Sequence, residues 1–309
     1  MFRIQSPLTL IKECLFSCGN SLQISSKRCL STRTWSYVKP GKVSERLTVP
    51  SYIPLPPYAL TGEVPDLRSL NPPILHAEVK NDGQIGLMRR SCRLARFVLD
   101  SIEEIIRVGI TTDELDKFAH ELITDNAAYP SPLNYRGFPK SICTSVNNVA
   151  CHGIPDDRPL ADGDIINVDV TVYLSGFHGD FKVAEEAMMT GIEVCKPGEY
   201  FFRIGKEVSD YASDHGYTSI GIFAGHGIGT YFHGPPDIFH TYNRNTAKME
   251  PGMTFTVEPI LSEGQANIII LNDEWTAITE DGSRTAQFEN TILITEEGYE
   301  ILTKPYEKR

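Results

Sequence analysis

Four carboxylates stand where β-strands rarely tolerate them. Asp169 interrupts the alternating run Ile165–Tyr173, in which Ile166, Val168, Val170 and Val172 share one face and Asn167, Asp169 and Thr171 the other. Asp180 follows eleven residues later, beyond Ser175-Gly176, a turn pair that would fold a hairpin and bring both acids to one side. In Thr254–Pro259, Glu258 shares its face with Thr254 and Thr256, opposite Phe255 and Val257; in Gln287–Ile294, Glu289 lies between Phe288 and Asn290. Strands disfavour Asp and, less strongly, Glu, so four such acids, two in each half, ask for a common reason. Histidines accompany them. Gly225-His226-Gly227-Ile228-Gly229 sets an imidazole among glycines, where backbone or ligand can approach closely. Phe232-His233-Gly234 and Cys151-His152-Gly153-Ile154-Pro155 add two more.

Charge arithmetic says what such a set is for. Four ionised carboxylates converging on one site repel one another and lose hydration at a cost of several kcal/mol each. Two divalent cations would cancel them. Oxygen-rich ligation with a single imidazole suits Mn, Fe, Co or Zn rather than a thiolate zinc site. Carboxylates can bridge two metals ~3.5–4 Å apart, a geometry that supplies hydroxide near neutral pH and polarises a carbonyl, as peptide hydrolysis requires.

The elements that must position these residues follow from periodicity. Ile85, Met88, Cys92, Ala95, Leu99, Ile102 and Ile106 keep helical spacing, and Gly109 stops that helix. Thr111-x-x-Glu114 reads as a capping box opening a second helix, with Leu115, Phe118, Ala119 and Leu122 inward. Two further helices are predicted near Val183–Val194 and Tyr200–Asp214, ended by Pro197-Gly198 and Gly216. Strands are expected at Ile142–Val146, Ile165–Tyr173, Thr254–Pro259 and Gln287–Ile294. Helices and strands interleave without a regular βαβ rhythm, so the fold class is α+β.

The ends of the chain differ from its body. The 309 residues carry a formal net charge of −11, which argues against a surface built for nucleic acid. No apolar run is long enough for a transmembrane helix, so no membrane span is expected. Residues 1–43 hold Arg3, Lys12, Lys27, Arg28, Arg33, Lys39 and Lys42 against one acid, Glu13, among many Ser and Thr. That is the composition of a mitochondrial transit peptide, and Lys12-Glu13 interrupts the apolar core a secretory signal needs. Residues 44–83, with Pro50, Pro54, Pro56, Pro57, Pro65, Pro72 and Pro73, read as an extended linker without long helices. Residues 84–309 read as the folded body and are expected to form the catalytic domain. The cysteines beyond the leader (Cys92, Cys143, Cys151 and Cys195) show no paired spacing and read as free thiols.

Taken together, Cys151-His-Gly-Ile-Pro155, the Asp169/Asp180 pair, Gly225-His-Gly-Ile-Gly229, Phe232-His233-Gly, Thr256-Val-Glu258-Pro and Gln287-Phe-Glu289 resemble the type I methionine aminopeptidases, in order, from about Gln84 to the C-terminus. The leader and the Pro-rich stretch are similar to the mitochondrial form. The resemblance implies a pita-bread fold of two pseudo-symmetric halves around two divalent metal ions. By resemblance, Asp169 chelates one metal, Asp180 and Glu289 bridge both, and His226 and Glu258 bind the second. Glu258 would also relay a proton from the attacking water. His233 would meet the scissile carbonyl and His152 the peptide beyond the cleaved bond. Tyr135, Phe138, Cys143, Phe232 and Trp275 would line a slot for the thioether. The implied substrate is the N-terminal methionine of nascent peptides with a small second residue, met near mitochondrial ribosomes by a monomer.

One departure from the pattern stands out. Asp180 runs directly into Phe181-Lys182-Val183-Ala184-Glu185-Glu186-Ala187-Met188, which reads as helix interior, so a strand and the first helical turns are missing. The expectation is that the Asp180 strand loses its continuation and its sheet partners. The alternatives are then a catalytically impaired variant or a non-catalytic binding protein on the same fold. A relative cleaving before proline would need a large extra N-terminal domain, for which residues 44–83 leave no room.

Overall fold

The computed structural model describes residues 2–3, 37–70, 73–182 and 186–304. Helix α1 (Asp82–Ile105) opens on a capping box between Asn81 and Gln84, and α2 (Thr112–Asp125) on the one expected between Thr111 and Glu114. There the Glu114 N–H donates to Thr111 Oγ1 at 3.1 Å and the Thr111 N–H to Glu114 Oε2 at 2.8 Å, so two otherwise unmet donors of the first turn are bonded. α1 ends before Gly109, which takes a left-handed φ of 86° in the turn to α2.

Seven strands frame the site: β1 (Cys143–Val146), β2 (Ile165–Leu174), β3 (Phe177–Lys182), β4 (Ala224–Gly227), β5 (Gly234–Phe239), β6 (Thr254–Val257) and β7 (Glu289–Ile294). They lie in one sheet in the order β2-β3-β7-β6-β4-β5, with β1 beside β2 and every one of these neighbours antiparallel. Ser175 and Gly176, both at positive φ, close the β2–β3 hairpin as its two-residue turn demands.

Each half has its own core. In the first, Leu99 and Ile102 of α1 and Leu115 and Ile123 of α2 pack on Ile166, Val168, Val170 and Val172, the face that alternation picks out. In the second, Met188 and Ile192 of α3 (Glu186–Glu193) and Ile204 of α4 (Phe202–Asp214) pack on Phe255, Val257 and Ile292. Burying each such side chain contributes about 1.5–3 kcal/mol, and this is what presses the helices onto one side of the sheet. The other side is left for polar groups.

The last described residues of the 1–43 stretch and the Pro-rich segment after them both lie along the body. Val38 N donates to Asn148 Oδ1 at 2.8 Å, Lys42 N to Asp157 Oδ1 at 2.7 Å and the Ser44 hydroxyl to Asp113. Ile53 and Tyr58 are buried, at 2% and 4% exposure. Most of the basic leader lies outside the described residues.

The helix predicted near Val183–Val194 is described over Glu186–Glu193, and residues 183–185 lie outside the described residues. Two expectations change. The strands predicted over Thr254–Pro259 and Gln287–Ile294 each break, at Glu258-Pro259 and at Phe288. There the chain leaves the central sheet and pairs in a second one, Ile260–Ser262 against Thr285–Gln287. Alternation is blind to that switch because the residues on both sides of each break stay buried. Finally, the Asp180 strand keeps both partners. β3 continues to Lys182 and pairs with β2 at Thr171↔Asp180 and with β7 at Asn290↔Phe181 and Glu289↔Lys182.

Candidate metal and peptide site

Register alone gathers the ligands. Thr171 faces Asp180 across β2–β3, Asn290 faces Phe181 across β3–β7, and Thr256 faces Thr291 across β7–β6. Side chains alternate with period two, so Asp169, Asp180, Glu289 and Thr256 fall on one face, opposite the apolar cores. Next door, the His226 N–H donates to Thr256 Oγ1 at 2.9 Å, which fixes β4 against β6. The flanking glycines make that contact possible. A Cβ on Gly225 would stand 2.4 Å from the Thr256 carbonyl oxygen, and one on Gly227 1.9 Å from that of Pro235.

The result is a cleft of about 340 Å³ between the halves. It is lined by all twelve residues singled out in the sequence: Asp169, Asp180, His226, Glu258, Glu289, His152, His233, Tyr135, Phe138, Cys143, Phe232 and Trp275. Pro132 and Arg136 also reach it, and sequence reasoning missed both. Asp180, His226 and Glu289 are buried and offer ligand atoms all within 4.8 Å of one another. A buried set of two carboxylates and an imidazole is the donor chemistry of a borderline-to-hard divalent cation, so these residues fit a metal. Glu258 Oε1 lies 3.5 Å from His226 Nε2, and Asp169 lines the same cleft.

Glu258 is held from three sides. The Thr256 hydroxyl donates to its Oε1 at 2.6 Å and the Gln287 amide to its Oε2 at 3.2 Å, while its own N–H donates to His240 Nε2 at 2.9 Å. Burial first, then the neighbouring His226, push the His240 imidazole down to about 3, so it stays neutral and its Nε2 can accept. Alternation already sets Thr256 on Glu258's face. His240 has no such signal, because it reaches Glu258 from a separate loop.

His233 is kept neutral by its surroundings. Desolvation in the cleft, followed by the imidazoles of His226, His152 and His178, holds His233 well below the ordinary histidine range. It can therefore act as a neutral N–H donor at physiological pH. His152 takes a left-handed φ of 55°, unusual for a residue with a Cβ, and its ring stands edge-on to Trp275 with centroids 6.1 Å apart.

The slot beside the carboxylates is aromatic. Tyr135 meets Phe232 at 5.0 Å and 67°, and Phe138 meets Trp275 at 5.1 Å and 78°, with Cys143, at the start of β1, 6% exposed. Cys92, Cys143, Cys151 and Cys195 are buried, and burial raises the Cys92 thiol to about 12, which leaves it inert.

Comparison with known proteins gives the family. A family model described as metallopeptidase family M24 matches residues 86–183 and 181–296. Mitochondrial methionine aminopeptidase 1D of Danio rerio is 46% identical over 286 residues, 87% of this chain and 83% of the relative; the Homo sapiens protein of that name is 46% identical over 290, covering 88% and 85%. The 286 aligned positions exceed 87% of this chain's 309 residues, so the relative carries residues that this chain lacks. The family match divides at 181–183, beside the segment missing after Asp180. The solved methionine aminopeptidase from Rickettsia prowazekii superposes with a TM-score of 0.71 at 42% identity, covering 74% of this chain and all of that one. A prolidase from Pyrococcus furiosus, at 20% identity and a TM-score of 0.58, shares the fold. The chain belongs to metallopeptidase family M24, among the type I methionine aminopeptidases.

Proposed function

We infer that this chain removes the N-terminal methionine from polypeptides in the mitochondrion, using a pair of divalent ions drawn from Mn, Fe, Co or Zn. Asp169, Asp180, His226, Glu258 and Glu289 would hold the pair. Bound metal would polarise the scissile carbonyl and lower the pKa of the attacking water. The observation that supports this reading is the convergence of all twelve residues on one cleft around a buried Asp180–His226–Glu289 group.

The chain's own residues supply the rest. Glu258, fixed by Thr256 and Gln287, takes the proton of the attacking water and passes it to the departing amine. His233 donates its N–H to the carbonyl oxygen as charge develops there. His152 steadies the peptide beyond the cleaved bond. The methionine side chain fills the slot of Tyr135, Phe138, Cys143, Phe232 and Trp275, and the walls around the next position admit only a small second residue. Residues 1–43 serve as the address and are cut off. The mature monomer, Pro-rich segment included, acts near mitochondrial ribosomes.

A Met-Ala-Ser peptide assay with metal titration tests this. Methionine release that rises with added divalent ion and disappears with chelator is the expected result. Cleavage confined to X-Pro peptides, or no turnover at any metal loading, would overturn it.

A further inference from the structure

Every residue that lines the cleft belongs to the catalytic domain, but some of them are backed from outside it. Tyr58, in the Pro-rich segment, is 4% exposed and belongs to the same apolar cluster as Tyr135 and Phe232. Two routes lead from it to the slot. Its ring stands edge-on to Tyr135, with centroids 5.0 Å apart and planes at 89°, and Tyr135 in turn touches Phe232. Its hydroxyl donates to the Ser131 carbonyl at 2.7 Å, and Ser131 Oγ shares a 2.8 Å hydrogen bond with His178 Nδ1. The His178 ring is stacked on Phe232, 5.1 Å away at 10°. Both routes end on Phe232.

The segment is anchored on both sides of Tyr58. Upstream, the Thr48 carbonyl bonds His120 Nε2 at 3.0 Å, and the buried Lys140 Nζ bonds the Ser44 hydroxyl at 2.7 Å. Downstream, the Asn134 side-chain amide donates to the Ala59 carbonyl at 2.9 Å. Neighbours on the chain, Asn134 and Tyr135, are therefore gripped by consecutive residues of the segment. A packed aromatic pair resists displacement of either ring, and a reacting group moved by ~1 Å can lose ~10²-fold in rate.

We propose that Tyr58 is a positioning and specificity-determining residue: it holds Tyr135 and the His178–Phe232 stack in place, so that the segment between leader and catalytic domain is a working part of the methionine slot. The inference rests on the assignment of Tyr135 and Phe232 to that slot. It also gives the segment a task that an ordinary linker does not have.

The test compares full-chain Tyr58→Ala, Tyr58→Phe, Ile53→Ala and Phe232→Ala on Met-Ala-Ser and Leu-Ala-Ser, with Mn(II) as the probe metal and thermal melting alongside. Ile53 is buried in the same cluster but, being aliphatic, takes no part in the ring stack from Tyr58 to Phe232, so it reads the loss of buried volume without loss of the aromatic contacts. Tyr58→Ala is expected to lower kcat/KM for the methionine peptide by about tenfold, mostly through KM, and to narrow the methionine-over-leucine ratio. Tyr58→Phe, which keeps the ring, should restore most of that ratio, while Ile53→Ala lowers Tm and leaves the ratio intact. A Tyr58→Ala ratio equal to that of Ile53→Ala, with Phe232→Ala altered, would overturn the role of Tyr58. Unchanged ratios in both Tyr58→Ala and Phe232→Ala would overturn the slot assignment beneath it.

Discussion

The carboxylate face and the aromatic slot share one cleft but are built differently. Three of the four acids, Asp169, Asp180 and Glu289, are set by backbone register: Cys143↔Asp169, Thr171↔Asp180 and Asn290↔Phe181 place them through ladder hydrogen bonds. The slot is set by side-chain packing between distant loops, with Phe138 against Trp275, Tyr135 against Phe232 and Tyr58 behind them. A ladder holds position because every strand residue contributes to it, so a single substitution leaves its neighbours in place. Packing holds position only while each ring is present. Ligand substitutions should therefore act sharply and locally, and slot substitutions gradually and through selectivity.

The largest effect breaks the comparison on the carboxylate side. Asp180→Asn should lower methionine release on the order of 10³-fold, since it removes an anion from a site meant to hold cations worth several kcal/mol to the transition state. Isothermal titration with Mn(II) should show the affinity loss directly, and unchanged metal uptake would count against the ligand assignment. Next comes Glu258's support. Gln287→Leu and Thr256→Val leave every ligand present and should each cost ~10–100-fold in kcat, as outer contacts to a metal ligand do. A change confined to KM would argue instead that they shape substrate binding. On the slot side, Trp275→Ala should raise KM for methionine peptides about tenfold with a smaller change in kcat, the pattern of lost apolar pocket contacts.

The smallest effect on activity isolates stability from chemistry. Asp113 sits against Lys117, Lys140 and Ser44, away from the cleft. Burial alone would raise its carboxyl, but those ion pairs and the Ser44 hydroxyl outweigh it and bring the group down to about 2. A carboxyl held below its unfolded value contributes stability above the ordinary carboxylate range and loses it as pH falls toward about 2. Asp113→Asn should therefore lower Tm by several degrees at neutral pH, converge with the parent near pH 2, and leave kcat unchanged throughout. A Tm difference that persists in acid would mean that Asp113 acts through packing rather than charge.

How much was legible follows from the same contrast. Alternation exposed Asp169 and Thr256, the capping box at Thr111 and Glu114 opened α2 as written, and the apolar face of α1 is the buried one. Local chemistry settles such features, so they survive in a one-dimensional reading. The resemblance to the type I methionine aminopeptidases added the slot residues, which composition alone cannot separate from ordinary core. The breaks at Glu258-Pro259 and Phe288 were hidden because both faces of those strands are covered, and two-sided burial erases the pattern. The Asp180 strand kept its sheet partners because two further residues, Phe181 and Lys182, sufficed to pair with β7. That pairing is a long-range contact and carries no local signature.

The sequence by itself determined which residues have the chemistry: acids misplaced in strands, histidines among glycines, and a basic leader on a chain of net charge −11. Their types fix what they can bind, and spacing fixes which face of an element they share. Tertiary structure alone decided which faces meet. It set Gln287 and His240 on Glu258, brought Arg136 to the cleft, and turned a Pro-rich stretch into the wall behind Tyr135. Those contacts join residues far apart in the chain. Their geometry comes from how two separate cores close on one sheet, which no local pattern records.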